Sequence, residues 1–446
     1  MKKNLVGLLC FFVVLSGCSK KDPLPGTREE LIVSEASEKT MQMQQMDTTP
    51  VQMDDEVENS ECPQAFYNST HSYAPLKVSD RVDDEYASEA QLLWQSKLDF
   101  DVTKSLRTAS APVVANGKVF CSDAAGIIYA LDEKTGKRIW RASSTILGKD
   151  GQIGTAMAYS DGLLLVATSF AECLAFDAES GKIVWRIKLS APSKGDGITV
   201  YNDKAFILCA NGKLQVVDIK SGRVLWEHSG LGAETTFFGC SAPAVSDGVV
   251  YVAYPSGEVF ALSVENGSVL WSSMLSKFSL TNSAYTLTHP RACPVVWHGV
   301  VYVASGNSQT VAFNAKDGKI LWSCDYGGVQ TPIVRGNSIF VLNEEGELVC
   351  LNNSSGKVRW ISDKLNKDGA WCGEILLKNH MAMLTPDGFL KVVSLNNGKI
   401  DRVVKIDSGR DGILLNPVVV GRVMFIQTNN GNVLAYKLVN KKLNQK

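Results

Sequence analysis

A glycine turn followed four residues later by tryptophan recurs at Gly136, Gly181, Gly222, Gly267, Gly318 and Gly356, at spacings of 38 to 51 residues. That period is the length of one four-stranded blade. Strand-pair signals precede the turns, and a spare Trp94 stands 46 residues before Trp140. Together these observations predict an all-β fold, an eight-bladed β-propeller closed by an N-terminal strand that completes the last blade.

The first residues are read as a signal rather than a structural element. Met1-Lys2-Lys3 is cationic, and Leu5 to Leu15 is an apolar stretch of eleven residues. As a helix it reaches about 16 Å, too short for a hydrocarbon core of about 30 Å. A signal-peptide core fits instead. Leu15-Ser16-Gly17-Cys18 follows, which resembles the lipobox of bacterial lipoproteins. Residues 1–17 are then removed and Cys18 is lipidated, with palmitate among its acyl chains. Several chains anchor far more firmly than one. Ser19 stands where an Asp usually signals inner-membrane retention in such lipoproteins, so the outer membrane is expected.

Residues 18–85 are expected to form an acidic, mostly disordered tether. Between 22 and 90 there are 16 Asp/Glu against four Lys/Arg, and no sustained apolar period is present. Low hydrophobicity with high net charge leaves little to offset the entropy of ordering. The remainder, 91–446, carries 37 basic against 30 acidic residues. The whole chain has a formal net charge of -1, which gives no reason to expect a nucleic-acid partner.

The propeller is placed at 86–438, with a short C-terminal tail at 439–446. In each unit an Asp, Ser or Asn ends an apolar strand and can bond the turn backbone, and Gly supplies a positive φ. The Trp that follows is large enough to lie between neighbouring blades. The blade tryptophans are Trp94, Trp140, Trp185, Trp226, Trp271, Trp322 and Trp360; a seventh glycine turn, at Gly398, has Arg402 in that place. Strand pairs open at Pro112, Pro243, Pro294, Pro332 and Pro417, with weaker versions near Met157, Thr199 and Ile375. That makes eight openings for seven turns. Gln91 to Leu98, carrying Trp94, supplies the missing outer strand.

The repeat resembles the pyrroloquinoline-quinone-type family far better than WD40, whose blades end in Trp-Asp. Here Arg141, Arg186, Glu227, Ser272, Ser323 and Ile361 follow the Trp. Joined to the lipobox and to Pro23-Leu24-Pro25, the chain resembles the BamB family of outer-membrane β-barrel assembly lipoproteins. The resemblance implies a non-catalytic scaffold facing the periplasm. It would bind the POTRA domains of BamA, the central barrel subunit, and assist unfolded outer-membrane proteins. The alternatives are a propeller binding another ligand or peptide and, further off, a quinoprotein dehydrogenase. The last typically has adjacent bonded cysteines, bound calcium and long insertions, and no two cysteines are adjacent here. No catalytic residue, metal site or cofactor is expected. Nine cysteines follow Cys18 without a CxxC pair; most read as small buried side chains, and one or two disulfides of undetermined pairing are allowed.

Partner docking is expected on the loops that lead from an outermost strand to the next strand-opening proline. The intervals from Trp226 to Pro243 and from Trp271 to Pro294 are long and apolar, at 17 and 23 residues against ten from Trp322 to Pro332. The candidate contacts are Phe237, Phe238, Leu280, Tyr285, His289 and Arg291. The resemblance points to these same loops as the BamA-facing surface. Family members often carry Arg where Phe238 stands and an Asp-x-Asp pair where His289-Pro290-Arg291 stands. An interface here is therefore expected to be more apolar and reversed in charge.

Overall fold

A computed structural model describes residues 46–77, 89–99, 110–123, 125–144, 155–230, 242–275, 292–306, 309–328, 330–366, 371–406, 412–413 and 415–439, with the side chains of 194–196 left out. The folded unit runs from Gln45 to Lys446. It is an eight-bladed β-propeller of eight four-stranded antiparallel sheets. Blade 1 is typical: Val113–Ala115, Lys118–Ser122, Ile127–Asp132 and Arg138–Ser143 follow one another from the axis outward. The innermost strands of blades 2 to 7 are Thr155–Ser160, Ser193–Tyr201, Ala244–Ser246, Val295–Trp297, Ile333–Arg335 and Gly373–Leu376.

Blade 8 joins the two ends of the chain. Val418–Val420, Val423–Gln427 and Asn432–Val439 are its first three strands, and Glu89–Lys97 is the fourth. That strand runs antiparallel, with Glu89 opposite Val439 and Lys97 opposite Asn432.

Each outermost strand carries a one-residue register shift, beside its tryptophan in seven blades and beside Arg402 in blade 7. Ala130 pairs with Trp140 but Leu131 with Arg138, so Ile139 bulges, and the same shift occurs in the other seven blades. A bulge of this kind re-aims the next side chain. The ring turns into the neighbouring blade, where its indole N–H donates to a backbone carbonyl: Trp140 to Ala178 at 2.9 Å, Trp185 to Ile219 at 2.8 Å, Trp322 to Asn353 at 2.9 Å. Arg402 replaces the eighth tryptophan for a physical reason. The neighbour of blade 7 is blade 8, whose third and fourth strands come from opposite ends of the chain. It therefore has no glycine turn for an indole to lie under.

The expected tether departs from the structure over residues 46–77, which belong to the folded unit. An innermost strand pairs on one side only, leaving N–H and C=O groups on its channel edge that need partners. Residues 46–77 supply them. The expected signal peptide at 1–17, the parts of the expected tether at 18–45 and 78–85, and the tail from 440 lie outside the described residues.

Candidate functional site

The central channel is filled by the chain's own leader. Cys62 and Val114 exchange backbone hydrogen bonds at 2.7 and 3.0 Å on blade 1, and Pro63 accepts from Tyr159 of blade 2. The Gln64 amide closes a pair of bonds with the backbone of Val200 on blade 3. Ser69 and Thr70 accept from Val245 and Val296 on blades 4 and 5. The Ser72 hydroxyl donates to Val334 on blade 6, and Leu76 N–H to Leu376 on blade 7. On blade 8, Val419 N–H donates to the Tyr67 hydroxyl and Asn59 donates to the Val419 carbonyl. One strap thus touches the innermost strand of every blade.

The strap arrives and leaves at the end of the channel where first and second strands turn. Gln52 sits on the turn Gly336-Asn337, and Val57 pairs with Leu76 in parallel as the chain returns. Its acidic residues meet cations there: Asp54 with Arg335 at 2.8 Å, Glu58 with Arg422 at 3.5 Å. The Arg335 guanidinium also lies 4.0 Å from the centre of the Trp297 ring. Exposed pairs contribute little, but Arg335 is mostly buried and its neutralisation matters more.

At the other end of the channel the strap floors a cavity of about 190 Å³, walled by the strand-opening Pro112, Pro332 and Pro417. Phe66, Tyr67, His71 and Tyr73 rise into it, and Glu374 lines its side. Phe66, Tyr67 and His71 hold left-handed backbone at φ of 57°, 68° and 59°. Such a conformation costs an L-residue about 1–2 kcal/mol. The Tyr67 and Tyr73 rings lie 4.8 Å apart, and the Tyr73 hydroxyl donates to the Glu374 carbonyl. Burial pushes the Glu374 carboxyl up to about 8. Burial drives His71 down to about 4, so it is neutral at pH 7. Its Nδ1, 2.8 Å from the Pro294 carbonyl, must be the protonated nitrogen because a carbonyl only accepts.

The sequence-derived site residues fall in two groups. The seven blade tryptophans sit between blades with their indole N–H groups bonded, including Trp94 to Glu133, Trp226 to Val264, Trp271 to Ala315 and Trp360 to Leu395. Cys18, Phe237, Phe238, Leu280, Tyr285, His289 and Arg291 lie outside the described residues. Among the described residues seven cysteines are free thiols, and all but Cys324 are buried. Cys293, beside the opening of blade 5, is disulfide-bonded. Among the described residues no three His, Cys, Asp or Glu side chains are grouped to hold a metal ion. The strap was missed by composition. Its signal is aromatic density: Phe66, Tyr67 and Tyr73 fall within eight residues, whereas 22–61 contains no Phe, Tyr or Trp.

Comparison with known proteins agrees with the geometry. The family model described as outer membrane protein assembly factor BamB matches residues 78–148 and 124–362. A protein of that name from Yersinia pestis is 26% identical over 387 residues, covering 83% of this chain and 94% of its own. The Escherichia coli K12 protein is 26% identical over 330 residues, covering 72% and 82%. Among solved structures, BamB from Moraxella catarrhalis superimposes with a TM-score of 0.65 at 17% identity, over 78% of this chain and all but 1% of its own. A quinohemoprotein alcohol dehydrogenase from Comamonas testosteroni gives 0.64 at 13% identity, over 91% and 83%; both structural likenesses show the fold alone. With a repeat family model spanning well over half of its length, the chain belongs to the BamB family of outer membrane protein assembly factors.

Proposed function

We propose that this chain is a non-catalytic scaffold in outer-membrane protein assembly, tethered by lipid on Cys18 and facing the periplasm. The observation that carries the reading is the family match across the repeats. The strap adds to it: the channel axis is occupied by residues 62–73, which leaves the rim, the cavity mouth and the inter-blade loops to meet other molecules. BamA POTRA domains are the partner this reading names. Phe237, Phe238, Leu280, Tyr285, His289 and Arg291 are its contact candidates, since aromatic anchors surrounded by polar residues are what binding hot spots use.

A deletion strain complemented in trans tests the role. The native gene should restore outer-membrane barrel levels, and Cys18→Ser, which cannot be acylated, should restore them poorly while its propeller stays folded. Full complementation by Cys18→Ser in a soluble form would remove the lipid anchor from the proposal. Unchanged barrel levels in the deletion strain itself would remove the assembly role.

A further inference from the structure

The cavity above the strap combines features that the scaffold role leaves unused. It is enclosed by aromatic side chains of the strap on one side and by strand openings on the other. The Glu374 carboxyl lines it, half-buried. No hydrogen bond or ion pair reaches that carboxyl from the described residues; only its backbone carbonyl is engaged, by Tyr73. A carboxylate partly withdrawn from water and without a counter-charge is costly. The rings of Phe66, Tyr67 and Tyr73, whose π-faces attract cations, line the same cavity. We propose that this cavity binds an organic cation, an alkylammonium or guanidinium head on a short apolar stem, with Glu374 as the counter-ion and the strap's aromatic rings as the cage.

The protonation chemistry gives the site a signature. The other titratable side chains lining the cavity are Cys62, Tyr67, His71 and Tyr73. Burial holds Cys62 up at about 12, raises both tyrosines and lowers His71, so all four are neutral between pH 6 and 8. Glu374 alone titrates in that range, since burial holds its carboxyl at about 8. An ammonium ligand, with an ordinary pKa near 10.4, stays charged throughout. Binding must then expel the proton from Glu374, and affinity should rise about tenfold per pH unit below about 8 and level off above it.

The same head group could be a free amine or the end of a lysine on a docked chain, and one experiment separates them. The full chain in detergent is titrated with dansyl-cadaverine, whose pentylammonium arm reaches a recessed site, at pH 6, 7 and 8.5. Saturable binding that strengthens with pH and falls at least tenfold in Glu374→Gln at pH 8.5 supports the site. Displacement by n-butylammonium but not by Nα-acetyl-lysine amide assigns a free amine; displacement by both assigns a lysine side chain. No saturable binding to the native chain, equal binding of the uncharged dansyl-pentyl analogue, or unchanged binding in a folded Glu374→Gln overturns the proposal. The comparison of dansyl-cadaverine with its uncharged analogue on the native chain keeps the test decisive should that variant fold poorly, because equal binding of the two contradicts recognition of the cation by itself.

Discussion

Trp94 lies flat under Gly136: a Cβ added to that glycine would come within 2.4 Å of Trp94 Cε3. Trp94 belongs to the fourth strand of blade 8 and Gly136 to the turn of blade 1, so this contact lies across the seam where the ring closes. The same relation joins Trp140 to Gly181, Trp185 to Gly222, Trp226 to Gly267, Trp271 to Gly318, Trp322 to Gly356 and Trp360 to Gly398. The glycine is needed twice over, for its φ near 70° and for the ring above it.

Substitution at these contacts should therefore be expensive and local. Gly181→Ala adds a methyl 2.6 Å from Trp140 Cδ2 at a φ of 69°, and should destabilise by about 2–4 kcal/mol through overpacking and backbone strain. Trp140→Ala should cost about 3–5 kcal/mol. If the contact is one unit, the double variant costs clearly less than the sum. Denaturant titration of the four proteins measures the coupling; full additivity would contradict it.

The strap rests on a similar close approach. Gly336 has a φ of 57°, and a Cβ there would fall 1.9 Å from the Gln52 carbonyl oxygen. Gly336→Ala should push residues 50–56 off blade 6 and break the bonds of Asn337 to Gln52 and Pro50. Hydrogen exchange should show faster exchange at Asn337, with Val245 and Val296 unchanged because Ser69 and Thr70 still cover them. Unaltered protection at Asn337 would mean that the strap does not dock there.

His71 makes the strap sensitive to acid. Its folded value, about 4, lies below the ordinary 6.5, so the unfolded chain takes up the proton first as pH falls. Its contribution to stability is complete above about pH 6.5 and is lost between about 6.5 and 4, amounting to about 3 kcal/mol. His71→Asn can keep the bond to the Pro294 carbonyl without titrating. The difference in unfolding free energy between native and variant should slope with pH over that window and be flat above it. Parallel curves would contradict a buried, neutral His71.

Cys293 is bonded while seven other cysteines are free thiols. Of the remaining three, Cys10 lies in the expected signal peptide and Cys18 in the lipobox, which leaves Cys240. Peptide mapping without reductant should join the Cys293 peptide to that of Cys240. Since these residues precede the opening prolines of blades 5 and 4, reduction should weaken partner docking more than it lowers propeller stability.

Period and turn chemistry made the propeller legible, because each blade repeats one local solution: a turn formed by Asp132 or its cognates, a positive-φ glycine, a bulge and a ring. The two ends were legible as well, since Trp94 stands one period ahead of Trp140 and the last strand pair lacks a turn. Residues 46–77 were not legible as structure. A disorder argument weighs what a segment can bury by itself, and this one buries little alone. Its order comes from partners distant in sequence, such as the Val114, Val245 and Val296 backbone groups on the channel edge. The Glu374 cavity was hidden for the same reason. Its carboxyl and the rings of Tyr67 and Tyr73 are about 300 residues apart and meet only once the strap is in place.

Docking on the strand-opening face is tested most directly by titrating the full chain in detergent with the POTRA domains of the same organism's BamA. Saturable binding is expected, weakened at least tenfold when Phe237 and Phe238 are both replaced by Asp in a chain whose unfolding midpoint is unchanged. No binding at high micromolar concentration, or equal binding by the double variant, would contradict the scaffold role or its placement on that face.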